Sequence, residues 1–138
     1  RVIGALIRMG YTGREFIPSV YQATIDLETG VLGFATGRQA QWGYGETHIE
    51  TGARVAGRRI ENWPQLKAIA LRAHEQYPWM PTIGWDALDS DQGPLLMEAN
   101  AFWGVDVSQL DAPFLGEVGY AEACLEAYDR ERPNASKA

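Results

Sequence analysis

Residues 83–100 read Ile83-Gly84-Trp85-Asp86-Ala87-Leu88-Asp89-Ser90-Asp91-Gln92-Gly93-Pro94-Leu95-Leu96-Met97-Glu98-Ala99-Asn100, two alternating segments joined by a polar turn. Side chains alternate along a strand, so Ile83, Trp85 and Ala87 share one face while Gly84, Asp86 and Leu88 share the other. In the second segment Leu95, Met97 and Ala99 share a face, and Leu96, Glu98 and Asn100 take the opposite one. Each segment has one wholly apolar face, and burying both against a single core sets the pairing parity. Asp86, Glu98 and Asn100 are then expected to project together from the other side, as a candidate cation site.

Outward from this hairpin the chain carries further strand signals. Ile3, Ala5, Ile7 and Met9 alternate with Val2, Gly4, Leu6 and Arg8 before a break at Gly10 to Gly13. Residues 21–28 alternate again, Thr29-Gly30 turns the chain into a strand at 31–34, and residues 36–46 read as a long surface loop. A short strand is expected near Arg54 to Ala56. A helix is predicted over 64–77, with Pro64 in its first turn, Asn62 or Trp63 as cap, and Leu66, Ile69, Ala70, Ala73 and Tyr77 as its apolar stripe. A second helix is predicted over 118–131, with Val118, Ala121, Leu125 and Tyr128 inward. The order of elements predicts an α+β fold, a mostly antiparallel sheet packed by two helices. It is read as one domain over residues 1–132 with a polar tail at 133–138.

Composition narrows the function classes. The 138 residues are 46% hydrophobic and 22% charged, the balance of an ordinary globular protein, and no apolar run approaches the roughly 20 residues of a membrane span. The net charge of −6 argues against nucleic acid or an anionic membrane as partner, but not against a phosphate ligand carried by a divalent metal. The single cysteine, Cys124, permits no internal disulfide, which fits a reducing, cytoplasmic setting. The chain starts at Arg1, already inside a strand-like pattern, and is expected to be a piece of a longer protein.

Two carboxylates and an amide oxygen on one sheet face suit a hard cation. Mg²⁺ takes one or two protein carboxylates and leaves its other positions to water and substrate phosphates. The competing reading is that Asp86 and Glu98 are solvated acids on a wet sheet face. Arg8 interrupts the less apolar face of its strand, where a guanidinium could grip phosphate or carboxylate, although spacing alone favours an ordinary surface arginine. His48 and His74 are too far apart in sequence to read as a metal motif. His74 reads as a helix residue, and the role of His48 stays open.

The hairpin, Gly84-Trp85-Asp86 followed by Leu96-Met97-Glu98-Ala99-Asn100, resembles the metal-binding strands of ATP-grasp enzymes, most closely the sugar-transfer-associated branch related to alpha-L-glutamate ligases. Ala5-Leu6-Ile7-Arg8-Met9, Ile25-Asp26-Leu27-Glu28-Thr29-Gly30 and His48-Ile49-Glu50-Thr51-Gly52 resemble other motifs of that branch, and together the likeness covers most of residues 1–110. The resemblance implies the C-terminal half of an ATP-grasp fold. In it Asp86, Glu98 and Asn100 would hold Mg²⁺ (or Mn²⁺) against the phosphates of ATP, with Arg8 near the transferred phosphoryl group. It implies a ligase that activates a small carboxylate substrate as an acyl phosphate for attack by an amine or similar nucleophile.

Two departures accompany it. The Asn and Gly-Gly that relatives carry before the Asp-Leu-x-Thr-Gly turn are absent from Phe16 to Gln22. The lysines and glycine-rich loop of the other ATP-grasp half have no counterpart, Lys67 and Lys137 being the only lysines. The alternative reading is therefore a non-catalytic ATP-grasp-like binding or assembly module.

Overall fold

The computed structural model describes residues 1–10, 21–37, 44–104 and 119–131. Its first sheet is organised by the turn at Asp26. The Asp26 Oδ1 accepts from Glu28 N (3.2 Å), Thr29 N (2.7 Å) and Thr29 Oγ1 (2.6 Å). Gly30, at φ 73°, donates its N–H to Asp26 O and completes the reversal. The turn sets β2 (Tyr21–Ile25) antiparallel to β3 (Leu32–Gly37). β1 (Leu6–Arg8) pairs with the free side of β2 and β4 (Tyr44–Gly45) with that of β3, giving a four-stranded antiparallel sheet in chain order. Its inward row includes Ile7, Ala23 and Ala35, directly opposite one another. Tyr21, Ile25, Leu32, Val55, Trp63 and Leu66 complete a buried core around Ala23 and Ala35, and Ala5, Ile7, Met9, Leu27 and Ile60 pack against it.

β3 reaches Gly37 and β4 takes residues 44–45, so the loop predicted over 36–46 is shorter than expected, with 38–43 outside the described residues. Thr36 is buried rather than on a loop surface. The strand expected near Arg54 is only an isolated bridge to Thr47, and a second bridge joins Arg59 to Val31.

The helix α1 (Trp63–His74) is the piece that joins this sheet to the hairpin. Trp63 Nε1 and Lys67 Nζ both donate to Leu27 O, at 3.0 and 2.6 Å. Burial of Leu66 against the core contributes about 1.5–3 kcal/mol. Asn62 stands at the N-cap position but does not cap; its Nδ2 donates instead to Asp89 Oδ1 at 2.7 Å, across to the second sheet. The helix ends three residues before the predicted boundary. Gln76 N and Tyr77 N donate to carbonyls three residues back, a tightening that precedes Pro78, which disfavours helical geometry at Tyr77.

β5 (Gly84–Ser90) and β6 (Gly93–Asn100) form the antiparallel hairpin. With α2 (Tyr120–Glu131) the described residues form two antiparallel sheets and two helices, an α+β domain as the element order implied. The inward face of α2 is not the predicted one. Leu125 and Tyr128 are exposed, whereas Ala127 is buried and Tyr120, Ala123 and Cys124 are half-buried. These four follow the i, i+3, i+4, i+7 spacing of one helix face. Tyr120 seats edge-on against Trp103 (5.7 Å between ring centroids), which turns that row inward. Val118 and the tail at 133–138 lie outside the described residues.

Candidate functional site

Asp86 lies directly opposite Glu98, and Gly84 directly opposite Asn100. Directly opposed residues project from the same side of an antiparallel pair, and Glu98 and Asn100 are two apart on one strand. Asp86, Glu98 and Asn100 therefore share a face. The other face carries Trp85, Ala87 and Asp89, and this is the side turned to α1. Tyr77 packs on Trp85 (6.2 Å between centroids) and Asn62 bonds Asp89.

Three features define the carboxylate face. Cross-strand partners stand about 4.5–5.5 Å apart at Cβ, and like charges so placed repel. No hydrogen bond or ion pair from a described residue reaches the side chains of Asp86, Glu98 or Asn100; the ion pairs among the described residues are Arg1–Glu122 and Arg54–Glu46. The face is also walled at both ends. At the Asn100 end, a side chain at Gly84 would meet Trp103 Cβ at 2.6 Å, so Trp103 occupies that space, held by Trp103 Nε1 donating to Thr82 Oγ1 at 3.3 Å. At the other end Leu88 and Leu95 are directly opposed and about half exposed.

Among the described residues no three His, Cys, Asp or Glu side chains gather into a metal cage. Two carboxylates and an amide oxygen nonetheless fit a Mg²⁺-like ion, which draws its remaining ligands from water and phosphate.

The pairing corrects one part of the sequence reading. Leu95 was expected beside Trp85 and Leu96 beside Glu98, but Ala87 pairs with Leu96 and Leu88 with Leu95. Leu95 thus joins the carboxylate face and Leu96 the α1 face. Met97, expected in the core, is 71% exposed. The cause is a one-residue bulge: between Leu96 and Glu98 the strand carries Met97 without a counterpart on β5. The signal was available in the two-residue turn. With Ser90 opposite Gly93, an unbroken ladder would set Met97, not Glu98, across from Asp86.

Arg8 ends β1 opposite Gln22, exposed, and no described residue bonds or ion-pairs with its guanidinium. It belongs to the first sheet, whereas the three oxygen donors belong to the second. His48 is only 7% exposed. Its Nδ1 faces Thr51 N (3.4 Å) and Thr51 Oγ1 (3.3 Å), and its ring meets Tyr21 edge-on at 5.2 Å, while the Tyr21 hydroxyl donates to Thr47 O at 2.8 Å. His48 thereby closes the Thr47–Ala53 turn. His74 is satisfied by Met80 O at 3.1 Å.

A surface hollow of about 340 Å³ opens over the β2–β3 turn, bordered by Thr24, Asp26 and Gly33. Its one charged group, Asp26, is engaged by Thr29 and Glu28. Hydrogen bonds from the Thr29 hydroxyl, and then from the Thr29 amide, hold its carboxyl below the ordinary carboxylate range. Trp85 Nε1 is buried without a partner on the α1 side.

The fold is a small α+β domain whose hairpin carries paired carboxylates and an amide on one face. Residues 4–117 match the family described as sugar-transfer associated ATP-grasp, and the chain belongs to that family. Membership supports an ATP-dependent, ligase-type function. No curated protein and no solved structure matches the chain. Among the described residues no helix is long and apolar enough to cross a membrane.

Proposed function

We propose that this chain supplies the metal- and phosphate-holding face of an ATP-dependent ligase that joins a small carboxylate to an amine or similar nucleophile. The observation that carries the reading is the directly opposed Asp86–Glu98 pair, with Asn100 beside it and no cation from a described residue paired with it. Phosphoryl transfer is accelerated by positioning and charge neutralisation rather than by a protein nucleophile, so a face of oxygen donors suffices on this side of the site. A bound Mg²⁺ (or Mn²⁺) would neutralise the β- and γ-phosphates of ATP.

Asp86 and Glu98 would anchor that ion through carboxylate oxygens and Asn100 through its amide oxygen. The exposed Arg8 guanidinium would donate to the oxygens of the transferred phosphoryl group or of the acyl phosphate. A substrate carboxylate oxygen attacks the γ-phosphorus and the bond to ADP breaks. The nucleophile's lone pair then forms the bond to the acyl carbon, phosphate departs, and the amine loses its proton.

The nucleotide-gripping lysines and glycine-rich loop belong, in this reading, to the other half of the fold, in the same parent chain or a partner. Lys67 is spent on Leu27 O and lies over the Trp63 ring at 5.6 Å, which leaves it no part in phosphate binding. A cytoplasmic setting goes with ATP consumption and a single cysteine. In the complete enzyme, Glu98→Ala or Asn100→Ala is expected to abolish ATP turnover with an unchanged circular-dichroism spectrum. Turnover at the wild-type rate in either variant overturns the proposal.

A further inference from the structure

The irregularity beside the carboxylate pair has a direct consequence for the site. The turn Asp91-Gln92 sets Ser90 against Gly93, and the ladder runs regularly through Asp89–Pro94, Leu88–Leu95 and Ala87–Leu96. Continued without interruption, it would place Met97 opposite Asp86 and Glu98 opposite Trp85. Glu98 would then point to the α1 side, two carboxylates would be split across the sheet, and no ion could bridge them. The extra residue at Met97 shifts the pairing by one, and Glu98 and Asn100 return to the face of Asp86. A bulge also bends its strand and raises the local twist, and it re-aims the side chain that follows.

The Met97 side chain itself is not what this device needs: it is 71% exposed and makes no hydrogen bond or ring contact with a described residue.

Resting on the cation-site reading above, we infer that the Met97 bulge is the positioning element of the hairpin. It is a backbone device that aims Glu98 at Asp86 so that the two carboxylates converge on one divalent ion. Met97 acts through Glu98 and touches no ligand.

The test uses Mn²⁺ alone as probe, followed by paramagnetic broadening of the amide signals of Asp86, Glu98 and Asn100 in this chain. Met97→Ala keeps the residue count, hence the bulge, and is expected to broaden at wild-type Mn²⁺ concentrations. Deletion of Met97 makes the ladder regular while leaving Glu98 opposite Asp86. Because the pairing is kept, the variant isolates the bend and twist that the bulge adds at Glu98, and losing them is expected to require about tenfold more Mn²⁺, the scale on which residues supporting a ligand affect metal affinity.

Should that deletion fail to fold, Met97→Ala decides alone, since the inference requires the extra residue and not its side chain. Wild-type broadening in a folded, bulge-free variant overturns the inference, as does a tenfold loss in Met97→Ala. If the unaltered chain shows no broadening at these residues, it is the cation-site reading that falls.

Discussion

Glu98→Gln separates what the hairpin costs from what it does. The substitution keeps the shape of the side chain and removes one of two like charges set directly across the ladder. Carboxylates about 6 Å apart in a water-like dielectric repel by about 0.7 kcal/mol, inside the range of about 0.2–1 kcal/mol for cross-strand pairs. With chelator and at low ionic strength, Glu98→Gln is therefore expected to be more stable than wild type by about 0.5 kcal/mol. A chain of this length should show this as a rise of about 1–3 °C in Tm. Raising the salt to about 1 M shortens the screening length to about 3 Å and should erase the difference.

Mg²⁺ should invert the order. At ten times its dissociation constant a bound ion adds about 1.4 kcal/mol to wild type by mass action, while the variant, missing one anionic ligand, gains little. Differential scanning fluorimetry of both proteins, with EDTA and across a Mg²⁺ series, reads all of this. A lower Tm for Glu98→Gln in EDTA, or the same offset with and without Mg²⁺, would refute the reasoning, because the carboxylates would then be structural or merely solvated.

Gly30→Ala combines two penalties, since Gly30 sits at φ 73° and a Cβ there would lie 2.7 Å from Trp63 Cβ and Cγ. Left-handed geometry costs about 1–2 kcal/mol and overpacking about 1–3 kcal/mol, about 2–5 kcal/mol in all. Gly57→Ala, at φ 80° with open space around it, should lose only the first term. Equal urea midpoints for the two variants would remove Trp63 from the account of that turn. Asp26→Asn addresses pH. The folded carboxyl titrates below its ordinary range because of Thr29, so its contribution is complete above the unfolded value and fades as pH falls through the lowered one. The variant should show a flatter loss of stability across that acid window, and a wild-type acid limb in Asp26→Asn would contradict the Asp26–Thr29 interaction.

How far the sequence could be read depended on which forces set each element. Asp86, Glu98 and Asn100 were readable as one face because polar and apolar residues alternate through both strands and the wrong parity would bury charge. Leu95 and Leu96 were assigned to the wrong faces because the alternation reads as continuous and the odd residue at Met97 is invisible to it; the length of the turn at Asp91-Gln92 was the missing constraint. The inward side of α2 was misread because Ala123, Cys124 and Ala127 carry little hydrophobic weight, and the Trp103–Tyr120 contact, formed between distant segments, decides the rotation. His48 gave no pattern either, since its burial comes from Thr51 and Tyr21 closing around it and not from any periodicity.

The account turns on whether a divalent ion binds between β5 and β6. A Mn²⁺ titration of isotope-labelled chain, with line broadening mapped residue by residue and reversed by Mg²⁺, answers this most directly. Broadening is predicted to start at Asp86, Glu98 and Asn100 and to vanish in the double variant Asp86→Asn with Glu98→Gln. Broadening centred on other acids of this negatively charged chain, or unchanged in the double variant, would contradict it.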